Sequence, residues 1–139
     1  MARTKEPSDG KGFTIRRLVG VYNAEGSLRG ELSYWIAARF GRAHCGLCDI
    51  THGIARERSE WRSCRSGFPA PFETYHRDDQ PLAVRVVTGG VLPAVVAETE
   101  VGYVLLLGPD ALDKCAGSIG QFTDALQSAM NRCQVAWPS

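Results

Sequence analysis

A short apolar run near the amino terminus, followed by a stretch with helical periodicity, is the feature that most constrains the fold. Residues 18–22 (LVGVY) are continuously apolar and are bounded by the turn-forming sequence NAEG, a pattern typical of a strand buried on both faces of a parallel sheet. The apolar residues that come next recur at helical spacing: Leu28, Leu32, Trp35, Ile36 and Phe40. A buried strand that leads into an amphipathic helix is the first half of a βαβ unit. We therefore predict an α/β domain.

The middle of the chain is predicted to continue this alternation. A second strand is expected in or near residues 43–51. A second helical pattern opens just after it and breaks at the Gly- and Pro-rich residues 67–71. Residues 72–77 favour an irregular strand or a loop edge, and residues 82–87 favour a strand or a buried turn.

The last third of the chain contains the clearest strands. Residues 91–97 follow a glycine pair, and residues 103–107 lie just beyond the short polar turn 98–100, so these two strands are predicted to pair as a hairpin. Helical spacing then returns in a final helix, with apolar residues at Ile119, Phe122, Leu126 and Met130.

The resulting order of strand, helix, strand, helix, hairpin and final helix resembles the thioredoxin-like superfamily. The resemblance covers most of residues 15–130 and includes the sequence GVLPAVV at 90–96. In that superfamily a cis proline precedes the third core strand, and Pro93 matches that element. The resemblance implies a thioredoxin-like α/β domain with a central mixed β-sheet flanked by helices. We expect this domain to span residues 15–133, between a flexible tail at 1–14 and a short tail at 134–139.

The position of the cysteines departs from the pattern of thioredoxin-like oxidoreductases. In those proteins a Cys-x-x-Cys pair follows a strand and opens the next helix, whereas here the pair Cys45 and Cys48 is placed at the predicted second strand. The family mechanism is therefore not carried over residue by residue. Because parallel strands end on the same side of a sheet, we expect four other residues to lie near one another: Asn23, Glu25, His52 and Pro93.

The cluster HCGLCDITH holds two thiols and two imidazoles within nine residues, and redox chemistry is the leading hypothesis for it. Cys45 and Cys48 can close a small disulfide ring, and a nearby imidazolium can lower the pKa of a thiol. His52 is predicted to tune the two thiols in this way, and His44 adjoins the first of them. Asp49 opposes the effect by like charge. A thiol-disulfide oxidoreductase would act on a protein or a small-thiol redox partner.

Metal binding is the rival hypothesis for the same cluster, because thiolates and imidazoles are the preferred ligands of Zn²⁺. Cys45, Cys48 and His52 have compact, ligand-like spacing, and the same set suits Cu(I) less favourably. The fourth ligand stays open among four candidates: Cys64, His44, Asp49 and His76.

A third interpretation assigns the cysteines to packing alone, in a partner-binding module without chemistry. Free cysteine is among the most buried residue types, and alternation along a strand would place Cys45 and Cys48 on opposite faces. Outside the cluster, Cys115 falls on a predicted core face and His76 is predicted to face solvent.

Composition excludes several other classes of function. The net charge of +1 lacks the basic excess typical of nucleic-acid binding, and no apolar run approaches the roughly 18 residues that cross a bilayer. The amino terminus has no apolar signal segment, and five cysteines make an odd number. We therefore expect a cytoplasmic protein without a disulfide scaffold. An apolar sheet edge or the Trp35 face could support a homodimer.

Overall fold

The computed structural model describes residues 12–23, 46–51 and 58–139. Five strands lie in these ranges: β1 Phe13–Val21, β2 Phe72–Tyr75, β3 Ala94–Thr99, β4 Gly102–Leu107 and β5 Val135–Ala136. Five helices lie there as well: α1 Gly46–Thr51, α2 Ser59–Gly67, α3 Leu82–Thr88, α4 Pro109–Lys114 and α5 Ile119–Cys133. They form an α/β fold in which an open, mixed sheet is flanked by helices, as the sequence predicts.

The sheet has the strand order β2-β1-β3-β4, and β5 pairs with the start of β1. β1 and β2 are parallel, with Val21 opposite Tyr75. β3 is antiparallel to β1, with Ala94 opposite Val21, and β4 is antiparallel to β3, with Leu107 opposite Val95. The ends of β1, β2 and β4 and the start of β3 therefore share one side of the sheet, which we call the carboxyl edge.

Alternation along β1 divides the core into two clusters, because successive side chains of a strand point to opposite faces. Leu18 belongs to a large cluster to which α1, α2 and α5 contribute. Val19 and Val21 belong to a smaller cluster on the other face, where Val84 of α3 packs against them. The sheet is thus covered by helices on both faces.

Aromatic rings fill the centre of the larger cluster. Trp61 of α2 is fully buried and meets Phe72 edge-on, with ring centroids 5.0 Å apart. It meets Phe122 of α5 in the same manner at 5.6 Å. Edge-to-face pairs of this kind add about 1 kcal/mol each beyond the burial of apolar area, so they fix α2 and α5 against β2.

The final helix, α5, has the apolar spacing that the sequence predicts. Phe122, Leu126 and Met130 are all buried, at intervals of four residues. The helix begins after Ser118, whose side chain accepts a hydrogen bond from the amide of Gln121 at 3.1 Å, which satisfies one of the amide groups left open at a helix start.

The prediction of a strand in or near residues 43–51 is wrong for residues 46–51, which form helix α1, while residues 43–45 lie outside the described residues. Leu47, Ile50 and Thr51 are buried at helical rather than alternating spacing. The second strand is β2, which falls in the stretch 72–77 predicted as an irregular strand or a loop edge. A short apolar segment fits a helix and a strand equally well, so periodicity alone could not separate them.

The prediction for residues 82–87 is also wrong, because they form helix α3. This helix begins after Pro81, which suits a helix start because its missing N–H would have no partner there. It ends at Gly89, whose φ of 66° lies in the left-handed region that glycine adopts readily. Leu82 and Val86 face solvent, so the run of apolar residues does not mark a buried strand.

Two further boundaries differ from the predictions. The strand expected from residue 91 begins at Ala94, after a cis peptide bond between Leu92 and Pro93. Helix α2 begins at Ser59, and the earlier part of its predicted span lies outside the described residues.

Both predicted tails contribute residues to the sheet. Phe13 and Thr14 of β1 pair in parallel with Val135 and Ala136 of β5. Among the described residues, no helix has the length and apolar content that a membrane crossing requires.

Candidate functional site

Helix α1, which carries the second cysteine of the predicted pair, packs tightly between β1 and α4. A Cβ added to Gly46 would lie 2.7 Å from Oδ1 of Asp113 and 2.9 Å from the carbonyl carbon of Leu112. At the next position, the side chain of Leu47 would come within 3.1 Å of a Cβ added to Gly20. Two glycines therefore allow α1 to approach β1 and α4 closely, and any larger residue at position 46 must shift α1 or α4.

Cys48 lies in the first turn of α1 and is only 5% exposed. It belongs to the large core cluster together with Leu47 and Ile50. Its helical position corrects the prediction that Cys48 lies on a strand, and Cys45 lies outside the described residues. The difference matters chemically, because residues three apart are about 10 Å distant and on opposite faces of a strand. In a helical turn they are neighbours, at the separation that a disulfide needs.

Hydrogen bonds connect the carboxyl end of α1 to the end of β1 and to the segment before α5. The hydroxyls of Tyr22 and Thr51 lie 3.0 Å apart, and both side chains are buried. Arg58 donates hydrogen bonds from its guanidinium to the carbonyls of Ile50 at 3.1 Å and Gly117 at 2.7 Å. A cation at this position stabilises the negative end of a helix.

His76, one of the candidates for a fourth metal ligand, is placed at the carboxyl edge beside Tyr22. Its side chain is only 12% exposed, so the prediction that it faces solvent is wrong. The ring centroids of His76 and Tyr22 are 5.5 Å apart. Nδ1 of His76 lies 3.4 Å from a carboxylate oxygen of Asp79 but makes no hydrogen bond within the described part of the chain. No local sequence pattern indicates this burial, because His76 stands in a polar stretch.

Asn23 and Pro93 both lie at the carboxyl edge. Asn23 follows the last residue of β1 by two positions, and its Oδ1 accepts a hydrogen bond from Arg77 at 3.2 Å. Pro93 directly precedes Ala94, which is paired with Val21. Four other predicted site residues, His44, Cys45, His52 and Glu25, lie outside the described residues. Asp49 is part of α1, but its side chain also lies outside the description.

Cys64 of α2 and Cys115, between α4 and α5, both pack in or against the large core cluster. Cys64 packs against the large core cluster, and burial raises the pKa of its thiol above the usual value. Burial also raises the pKa of Cys115, which lies just after α4 and donates a hydrogen bond to the carbonyl of Ala111 at 3.4 Å. A raised pKa keeps a thiol protonated at neutral pH, where it is a poor nucleophile and a poor metal ligand.

The geometry of a metal centre is not found within residues 12–23, 46–51 and 58–139. No three His, Cys, Asp or Glu side chains converge there as ligands. Two of the three main predicted ligands, Cys45 and His52, lie outside those ranges.

Comparison with known proteins gives this chain no family. No known protein family, no curated protein and no solved structure matches it.

Proposed function

We propose that the chain is a thiol-disulfide oxidoreductase of thioredoxin-like architecture that uses Cys45 and Cys48 as its redox pair. One observation carries the proposal: Cys48 is buried in the first turn of a helix that begins directly after Cys45 and packs on the central sheet. This position allows a two-residue spacing to close a disulfide.

The sheet supports the thioredoxin-like part of the proposal. Its order is β2-β1-β3-β4, and β1 and β2 are the one neighbouring pair of these four strands that runs parallel. This sheet is compatible with the central mixed sheet that the resemblance implies. Helices cover both faces, and the cis peptide before Pro93 precedes the third strand of the order. The chain departs from the family in the length of the segment between the first strand and the helix that carries Cys48, because residues 22–45 separate β1 from α1.

The burial of Cys48 assigns different roles to the two thiols. A thiol that is 5% exposed is poorly accessible to a bulky disulfide, so Cys45 is the attacking residue in this proposal. Its thiolate attacks one sulfur of a substrate disulfide and forms a mixed disulfide, and the other substrate sulfur leaves as a thiolate. Cys48, as a thiolate, then attacks the sulfur of Cys45 and releases the second substrate thiolate.

The electrons and protons balance over these two steps. The substrate disulfide gains two electrons and becomes two thiols, and the pair Cys45 and Cys48 loses two electrons and becomes a disulfide. The two protons that leave the cysteine pair end on the substrate thiols through the solvent. His52 is proposed to favour the thiolate form of the pair, as an imidazolium can.

The test is a redox titration of the full chain in glutathione buffers of graded potential, with accessible thiols counted by alkylation and intact mass. We expect one disulfide to form reversibly, and we expect Cys45→Ser and Cys48→Ala each to abolish it. Cys133→Ser is the matched control, because Cys133 lies at the far end of α5 and should leave the titration unchanged. Cys48→Ala should also trap a mixed disulfide at Cys45, which distinguishes a lost resolving thiol from a misfolded variant.

Native mass spectrometry with and without a chelator separates this proposal from zinc binding. A purified chain that carries one zinc ion, and loses it in Cys48→Ala, would contradict the redox assignment. So would two thiols at positions 45 and 48 that stay reduced at every potential.

A further inference from the structure

A cleft of about 400 Å³ opens at the carboxyl edge, on the face of the sheet that α3 covers. Its volume falls within the range of small-ligand sites. The lining comes from the connection between β2 and α3, from α3 itself and from the segment before Pro93: Arg77, Asp78, Gln80, Arg85, Gly90 and Leu92. None of these residues takes part in the thiol chemistry proposed above.

The wall formed by the β2–α3 connection is held in place by its own hydrogen bonds. The side-chain nitrogen of Gln80 donates to the carbonyl of Arg77 at 3.0 Å. The guanidinium of Arg77 donates to Asn23 at 3.2 Å, and Asp79 accepts a hydrogen bond from the amide of His76 at 2.6 Å. The cleft is therefore preorganised, which lowers the entropic cost of binding.

Two polar groups that line the cleft are left for a ligand. Oε1 of Gln80 is buried and has no hydrogen-bond partner among the described residues, although a buried carbonyl oxygen is costly without a donor. The guanidinium of Arg85 is exposed and makes no hydrogen bond or ion pair within the described ranges. Arg77 and Arg85 outweigh the single carboxylate of Asp78, so the cleft carries a net positive charge.

An apolar shelf adjoins the cleft. Leu82 is 77% exposed, Val86 is 72% exposed and Val91 is 59% exposed. Leu82, Arg85 and Val86 lie three and four residues apart and so share one face of α3. The guanidinium of Arg85 therefore stands between exposed apolar side chains.

We propose that this cleft binds the carboxyl-terminal residue of a partner peptide or protein, with an apolar side chain at that position. The terminal carboxylate pairs with Arg85 and Arg77, the amide N–H of the same residue donates to Oε1 of Gln80, and its side chain rests on Leu82, Val86 and Val91. A chain terminus is favoured over a free anion because it supplies a carboxylate, a donor and an apolar group together. The proposal is independent of the thiol chemistry.

The test is a calorimetric titration of the full chain with an acetylated Gly-Ser-Leu tripeptide that has a free carboxyl terminus. We expect saturable binding that weakens about tenfold or more when the terminus is amidated, because a charge-assisted hydrogen bond is lost. Arg85→Gln should weaken binding by a similar factor, whereas Arg132→Gln removes the same charge from the last turn of α5 and should leave it unchanged. Val86→Ser should weaken it, and Val101→Ser, at the turn between β3 and β4, should not.

Other ligands decide between a chain terminus and a simpler anion site. Inorganic phosphate or an amidated peptide with an internal glutamate, binding as tightly as the free tripeptide, would overturn the assignment. Equal affinities of wild type and Arg85→Gln, or no binding at all, would overturn it too. Because the readout is binding, neither result depends on whether the cysteine pair is redox-active.

Discussion

The phenolic oxygen of Tyr22 lies 3.0 Å from the hydroxyl oxygen of Thr51, and both side chains are buried. Tyr22 directly follows β1, and Thr51 is the last residue of α1. The hydrogen bond therefore joins the carboxyl end of the helix that carries Cys48 to the carboxyl edge of the sheet. The ring of Tyr22 also contacts His76, at a centroid distance of 5.5 Å.

Loss of this hydrogen bond should destabilise the protein measurably. Tyr22→Phe keeps the ring but removes the phenolic oxygen, and we expect it to lower the free energy of unfolding by about 1–2 kcal/mol, because a buried hydrogen bond is lost. Urea denaturation measures the change. A double-mutant cycle with Thr51→Val should give a coupling energy of about 1 kcal/mol, and strict additivity of the two variants would contradict a direct bond.

The close approach of α1 to α4 makes Gly46 sensitive to the smallest substitution. In Gly46→Ala the new methyl group would lie 2.9 Å from the backbone of Leu112, so α1 or α4 must move. We expect a loss of about 1–3 kcal/mol in the free energy of unfolding, as overpacking typically costs. Gly67→Ala is the control, because nothing lies within 4 Å of a Cβ there. Thermal unfolding should show a lower Tm for the first variant and little change for the second.

The sequence predicts the periodic parts of the fold well and the short apolar segments poorly. The final helix and the β3–β4 hairpin follow from long, regular patterns such as Phe122, Leu126 and Met130. Residues 46–51 and 82–87 are too short for periodicity to distinguish a helix from a strand, and tertiary packing decides both. For α1 the deciding contacts are with β1 and α4, which are distant in sequence.

The placement of the candidate site residues follows from the sequence only in part. The sequence predicts Cys48 and Pro93 as site residues, but it places the cysteine on a strand, whereas the fold places it in helix α1. It also misses the burial of His76, which depends on the ring of Tyr22 more than fifty residues earlier. Contacts between residues so far apart in sequence leave no local pattern in it. They form only when the sheet brings the ends of β1 and β2 together.

Buried thiols should make the folded chain less stable in alkaline solution. Burial raises the pKa values of Cys64 and Cys115 above the ordinary 9.0, so the folded chain holds thiol protons that the unfolded chain releases. Their contribution to stability is complete below pH 9.0 and is lost as the pH rises through the folded pKa values. We expect the Tm of the wild type to fall between pH 8 and pH 10 by more than the Tm of Cys115→Ala. An identical fall in both proteins would contradict this role for Cys115.

Arg17 holds three strands together on the face of the sheet opposite α1. Its guanidinium donates to Glu98 of β3 at 2.6 Å, to Glu73 of β2, and to the phenol of Tyr103 of β4 at 3.2 Å. Hydrogen bonding to these acceptors raises the pKa of Arg17 even against the desolvation that would lower it, so the group stays charged at every accessible pH.

This arrangement needs the planar fork of a guanidinium and not only a positive charge. Arg17→Lys keeps the charge but loses the fixed geometry that reaches β2, β3 and β4 together. We expect it to lower the free energy of unfolding by about 1 kcal/mol, a modest value because Glu73 is half exposed and solvent screens the pair. Arg16→Lys changes a neighbouring exposed arginine and should be neutral. Urea denaturation of both variants in low and high salt checks this: the difference between them should persist at high salt, since geometry and not long-range charge is lost, and its disappearance would show that charge alone matters at Arg17.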